Sequence, residues 1–197
     1  MNAMVRFAVC LMAAVSVVLL AVSPGIARAE GLFAGMRLGA IPRGLPGPDE
    51  IDFPKKYDPG TIVVVAAHKR LYYVTSRGKA LRYVVGVGRD GMRWKGTAQI
   101  ARKAEWPSWT PPAEMHVRAR AKGVNLPQQL DGGPNNPLGA AALYLYSNGK
   151  DTLYRIHGTN EPWNLGKAVT SGCIRMLNHH VVDLYKRVKI GTRVIVL

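Results

Sequence analysis

Cysteine is nearly missing from this 197-residue chain, which contains two, Cys10 and Cys173. Cys10 lies in an N-terminal apolar run that reads as removable, so one thiol is expected to remain and no internal disulfide can form. A domain of this size outside the cell often relies on disulfides; this one cannot. Acidic residues are also scarce, 12 against 27 Lys and Arg, for a net charge of +15. Such a balance invites a nucleic-acid reading. The basic residues are scattered, however (Lys55-Lys56, Lys69-Arg70, Arg118, Arg120, Lys122, Lys186-Arg187), and no aromatic-interleaved basic motif accompanies them. No nucleic-acid partner is therefore expected; attraction to an anionic envelope surface fits the charge better. There is no H-E-x-x-H and no pair of cysteines, so neither a metal nor any other cofactor is expected. His179-His180 does not supply one, because adjacent histidines do not face one another. His68 and His116 read as solvent-facing.

The N-terminus reads as a secretory signal over residues 1–29. Arg6 supplies a positive n-region, Phe7 to Val22 carries no charge, and Ala27-Arg28-Ala29 forms a small-residue cleavage site before Glu30. The uncharged run spans 16 residues, short of the roughly 20 that cross a bilayer as a helix. Membrane contact is thus expected only through the signal, before cleavage. The exported chain would keep a net charge of +13, since only Arg6 and Arg28 leave with the signal. A lone thiol in an oxidising compartment is either buried and inert or put to use.

Residues 30–59 are rich in glycine and proline and read as a linker or extended arm. The pattern then changes. Thr61 to Ala67 is an apolar, β-branched run, and Leu71 to Thr75 and Leu81 to Val87 follow as its neighbours. Trp106 to Pro112 is extended chain, because each residue before a proline is pushed out of the helical region. A short helix over about Pro112 to Lys122 is weakly signalled, and Gly132 to Gly139 must be a loop. Ala141 to Ser147, an Asn148-Gly149 turn and Thr152 to His157 make a hairpin. Asn178 is positioned to cap a helix over about His179 to Val188, with Val181, Leu184, Tyr185 and Val188 on one face. Arg193 to Leu197 is a last strand. Strands dominate without a βαβ rhythm, which predicts a mostly-β sandwich or barrel-like domain over 60–197, with minor helix.

The chemistry concentrates between His157 and Met176. His157 ends a predicted strand, a rigid place for a general base, and Gly158 leaves its approach open. A neighbouring backbone carbonyl could hold the imidazole in one tautomer. Cys173 follows sixteen residues later, and a thiol becomes a strong nucleophile when a base can take its proton. Ser171-Gly172-Cys173 can bring successive backbone N–H groups round the sulfur, as an oxyanion site for acyl transfer requires. Arg175 could bind a substrate carboxylate or stabilise the fold. Trp106, Trp109 and Trp163 could wall a groove, with Trp163 favoured by its place in the His-to-Cys loop.

These residues resemble the active-site signature of the YkuD-type L,D-transpeptidases. The likeness runs from about Tyr57 to Leu197 and includes Trp-x-x-Trp-Thr-Pro-Pro, Asn-Pro-Leu-Gly-Ala at 136–140, Tyr-Arg-Ile-His-Gly-Thr-Asn at 154–160 and Cys-Ile-Arg-Met at 173–176. It implies a β-rich catalytic domain in the periplasm or cell envelope, acting on peptidoglycan stem peptides. Cys173 would attack the bond between a diamino acid and the terminal D-alanine. An amine, from another stem, an envelope protein or a free D-amino acid, would then resolve the thioester. On the same footing His157 is the base, the backbone of Ser171, Gly172 and Cys173 lines the oxyanion site, and Arg175 matches the signature arginine. One position departs from the pattern: Ser171 stands where the family usually has histidine. Two other readings stay open, a hydrolase of the same fold in which water resolves the thioester, and a silent peptidoglycan-binding module.

Overall fold

The β-branched run Ile62–Val65 (β2) is wholly buried up to Val65 and lies inside a nine-stranded sheet. The computed structural model describes residues 45–197; the expected signal, Cys10 and residues 30–44 of the arm lie outside them. The other strands of the sheet are β1 (Asp49–Asp52), β3 (Arg70–Ser76), β4 (Lys79–Val84), β6 (Gly96–Glu105), β7 (Ala141–Ser147), β8 (Lys150–His157), β10 (Ile174–Arg175) and β11 (Arg193–Val196). Their order is β1-β4-β3-β2-β11-β6-β7-β8-β10. Pairing is antiparallel except at β2–β11 and β8–β10, which are parallel. β5 (Val87–Gly88) and β9 (Ala168–Thr170) form a separate parallel pair. The domain is mostly β with minor helix, as the patterning predicts.

Part of the Gly/Pro-rich arm belongs to the sheet. Asp49 to Asp52 pair with Arg82 to Lys79, and carboxylates of this edge strand meet the basic side chains opposite, Asp49 with Arg82 at 2.6 Å and Asp52 with Lys79 at 2.8 Å. Exposed pairs of this kind add little stability. Their charge keeps an open sheet edge from pairing with another chain. The predicted strand Leu81 to Val87 is divided: β4 stops at Val84, and Gly86 leaves the sheet to exchange two 2.9 Å backbone bonds with Arg175. That exchange ties β5 to the segment carrying Cys173.

Two helices accompany the strands among the described residues. The predicted short helix is α1 (Ala113–Arg120), none of whose residues is buried. The second, α2 (Asn178–Arg187), packs on β7 and β8 with Val181 and Leu184 in the core, and Val188 is buried just past its end. Its N-terminus corrects the capping expectation. Leu177 precedes the first helical residue, and Asn178 is already inside the helix. The Asn178 side chain is used elsewhere: its Oδ1 accepts the backbone N–H groups of Ala140 (3.0 Å) and Thr159 (3.1 Å). Two buried amides that lack a strand partner outweigh one helix cap.

Candidate active site

β8 and β10 run parallel in register, with Arg175 opposite His157 and Ile174 opposite Ile156. Cys173 therefore emerges just before β10, beside the end of β8. His157 is buried, 4% exposed, and its Nδ1 lies 2.6 Å from the Gly158 carbonyl. A carbonyl only accepts, so Nδ1 carries the hydrogen and Nε2 is left as the basic nitrogen. The carbonyl that fixes the tautomer is itself fixed. A Cβ on Gly158 would overlap Asn178 Oδ1 and come 2.9 Å from Ala140 N, so the chain passes here only as glycine. Asn178 thus holds the turn that holds the imidazole, a role its sequence position did not announce.

The turn bearing the thiol is clasped from several sides. Thr170 Oγ1 donates to Cys173 O at 2.6 Å and accepts from Gly172 N at 3.1 Å. Arg89 N donates to Thr170 O, closing the β5–β9 side. The Gly172 N–H is consequently engaged, which changes the expectation that it faces the substrate. Gly172 contributes by shape. Its φ of +118° is glycine territory, and a Cβ would overlap the Tyr154 ring and approach Met92 O to 2.9 Å. Tyr154 is in turn stacked on Trp94, centroids 5.7 Å apart.

Two arginines set the field. Arg155, opposite Tyr144 on β7, makes a bidentate pair with Asp151 (2.7 and 2.8 Å). Arg175 pairs with Glu161 of the His-to-Cys loop at 2.8 Å. Burial pushes the Cys173 thiol up; a hydrogen bond from the Arg155 backbone and the charges of Arg155 and Arg175 only partly oppose it. Burial likewise pushes His157 down, to about 4, with the Arg175 and Arg155 charges adding to the effect and the Gly158 carbonyl opposing it. Both groups are therefore neutral at neutral pH.

Cys173, His157, Ser171 and Arg175 all line one cleft of about 470 Å³, together with Thr170, Met92, Trp109, Leu153, Tyr154 and the α1 side chains Glu114, Met115 and Arg118. Trp109 is thereby on the groove as expected. Trp163 is not: it is 64% exposed on a short 3-10 turn, Pro162–Asn164, and does not line the cleft. Gly158 is buried and does not line the cleft. Leu153 escaped the sequence reading. It sits in an irregularity of β8 where Thr152, Leu153 and Tyr154 oppose the single residue Leu145, and a two-residue excess in one strand leaves no period to read. Among the described residues, no cluster of three or more His, Cys, Asp or Glu could hold a metal ion.

A mostly-β domain with a cysteine and a tautomer-fixed histidine in one cleft is equipped for acyl transfer through sulfur. The model of the YkuD family, L,D-transpeptidase catalytic domain, matches residues 59–196. Among curated relatives, the Escherichia coli (strain K12) protein named "Probable L,D-transpeptidase YbiS" is 34% identical over 151 residues, 75% of this chain and 47% of its own length. "Probable L,D-transpeptidase ErfK/SrfK" of the same strain is 33% identical over 75% of this chain and 46% of its own length. The chain thus spans about half the length of these relatives. Of solved structures, a Brucella melitensis protein described as a "Probable carnitine operon oxidoreductase" is 43% identical, with a TM-score of 0.52 over 79% of this chain and 95% of that one. L,D-transpeptidase 3 from Mycobacterium tuberculosis, 16% identical with a TM-score of 0.50 over 77% of this chain and 62% of that one, shares the fold. The chain belongs to the YkuD L,D-transpeptidase family.

Proposed function

We propose that the protein is an exported L,D-transpeptidase of the cell envelope that uses Cys173 as nucleophile and His157 as general base on peptidoglycan stem peptides. The observation that carries this reading is the pairing of β8 with β10, which sets Cys173 beside a histidine whose Nδ1 is held by Gly158 O. His157 Nε2 takes the thiol proton as Sγ attacks the carbonyl of the diamino acid that precedes D-alanine. The N–H groups of Ser171 and Cys173 receive the oxyanion, Gly172 being engaged with Thr170. Ser171 can serve in place of the family's histidine because a backbone donor does not depend on the side chain. The imidazolium returns its proton to the departing D-alanine amine. An acceptor amine then attacks the thioester, gives a proton to His157 and leaves the thiol restored. That acceptor is another stem, an envelope protein or a free D-amino acid. Residues 1–29 direct export.

The test is incubation of the purified protein with disaccharide tetrapeptide, products being read by mass spectrometry beside Cys173→Ala and His157→Ala. Dimers formed with loss of D-alanine, absent in both variants, are expected. Tripeptide monomers alone would turn the reading to hydrolysis, and untouched substrate with folded protein would turn it to a binding module.

A further inference from the structure

Leu153 has a backbone conformation that its side chain does not favour. Its φ is +63°, and it is 76% exposed, in the middle of a strand. Left-handed leucines are uncommon and persist where surrounding bonds impose them. Here the bonds are explicit. Asp151 Oδ1 accepts the Leu153 N–H at 2.8 Å, and Arg155 grips both Asp151 oxygens. On the other side Thr152 Oγ1 donates to Leu145 O at 2.6 Å and accepts from Tyr154 N at 3.2 Å. The latch turns Leu153 O away from β7 and toward the cleft, where it lies 4.0 Å from Cys173 Sγ.

We propose that the Leu153 carbonyl is the acceptor that positions the amine in the transfer reaction, a role that rests on the transpeptidase reading above. In aminolysis the amine nitrogen bonds to the thioester carbon, placing it two bonds from Sγ. An oxygen 4.0 Å from the sulfur comes within hydrogen-bond reach of that nitrogen when the amine approaches from the Leu153 side. The amine has two hydrogens. One goes as a proton to His157 Nε2 while the C–S electron pair returns to sulfur, which recovers its proton from the imidazolium. The other stays on nitrogen and points to Leu153 O, aligning the lone pair with the carbon. Acylation runs the same geometry in reverse, with the departing D-alanine nitrogen held by the same oxygen. Water attacking the thioester is small and freely oriented, so it depends less on this contact. The latch therefore favours transfer over hydrolysis.

The backbone role separates from a side-chain role by choice of substituent. Asparagine tolerates the left-handed region, whereas β-branched valine resists it. With disaccharide tetrapeptide as donor and D-methionine as acceptor, the ratio of exchanged to hydrolysed product is measured for the parent, Leu153→Asn, Leu153→Val, Asp151→Asn and Asp151→Ala. Leu153→Asn and Asp151→Asn, which keep the conformation and its acceptor, are expected to stay within about twofold of the parent ratio. Leu153→Val and Asp151→Ala are expected to lower it about ten- to a hundredfold, the scale of a misplaced reacting group. A variant that merely loses folded protein lowers both products and leaves the ratio unmoved. If Leu153→Val does not fold, Asp151→Ala against Asp151→Asn decides. An unchanged ratio throughout, or Leu153→Asn falling with Leu153→Val, overturns the proposal while leaving the transpeptidase reading standing. No turnover by the folded parent overturns both.

Discussion

Acidification should unfold this protein partly through His157, and the size of that effect follows from its surroundings. The imidazole is buried beside the Arg175 and Arg155 charges, which lowers it from 6.5 to about 4. The folded state thus disfavours the protonated ring, while the unfolded chain accepts a proton freely. Stability from the neutral ring is complete above about pH 6.5 and is lost as pH falls toward about 4, because the unfolded state then binds the extra proton. At about pH 5 a pair of values near 6.5 and 4 gives a loss of about 2 kcal/mol. Urea unfolding at about pH 7.5 and about pH 5 should therefore show the parent losing about 2 kcal/mol more than His157→Gln. Asp151 and Asp183, both held low by arginine partners, destabilise parent and variant alike on acidification and cancel in the comparison. Equal losses in the two proteins would refute the reasoning. The same shift places the acid limb of the pH–rate profile near 4 rather than 6.5.

Gly172→Ala should abolish turnover and lower stability by about 1–3 kcal/mol, since the new methyl meets the Tyr154 ring and Met92 O; thermal unfolding and the stem-peptide assay read both effects. Asn178→Ala leaves the buried N–H groups of Ala140 and Thr159 without their acceptor, at a cost of about 2–4 kcal/mol. It should also slow turnover by releasing the Gly158 turn; a denaturation midpoint unchanged from the parent would refute the assignment.

The sequence disclosed what has a short-range signature. Asn148-Gly149 is read directly as a hairpin turn, and both residues have positive φ, 50° and 75°. His157 and Cys173 stand out because glycines and a fixed-length loop flank them, and the strand pairing then brings them to one cleft. Asn178 was legible as a residue of importance but not in its role, since a side-chain oxygen serves a helix cap or two distant amides by the same chemistry. The Leu153 irregularity was illegible because it exists only as a mismatch between two strands, and Leu in isolation argues against positive φ. Trp163 failed for the opposite reason. Proximity in sequence to His157 and Cys173 placed it on the groove, but Pro162 begins a 3-10 turn that leaves the ring in solvent.

The two arginines cannot convert the dyad into a thiolate–imidazolium pair, because each cation that favours the thiolate disfavours the imidazolium. Arg155 and Arg175 both lower the thiol and both lower His157. Their effects on moving one proton from sulfur to nitrogen oppose each other, while burial raises the thiol and lowers the imidazole, both of which favour the neutral pair. On the transpeptidase reading proposed above, the thiol is quiet at rest and becomes a nucleophile when a carbonyl in the oxyanion site draws charge off sulfur during attack. A thiol kept protonated is also slow to oxidise, which suits the exported protein proposed above. Iodoacetamide is attacked at its iodine-bearing carbon rather than at a carbonyl, so no oxyanion forms and it reports the resting thiolate population. At neutral pH Cys173 should react at least several-fold more slowly than a free small-molecule thiol, and His157→Ala should not slow it further. Alkylation faster than the free thiol, abolished by His157→Ala, would mean that the pair is ionised at rest.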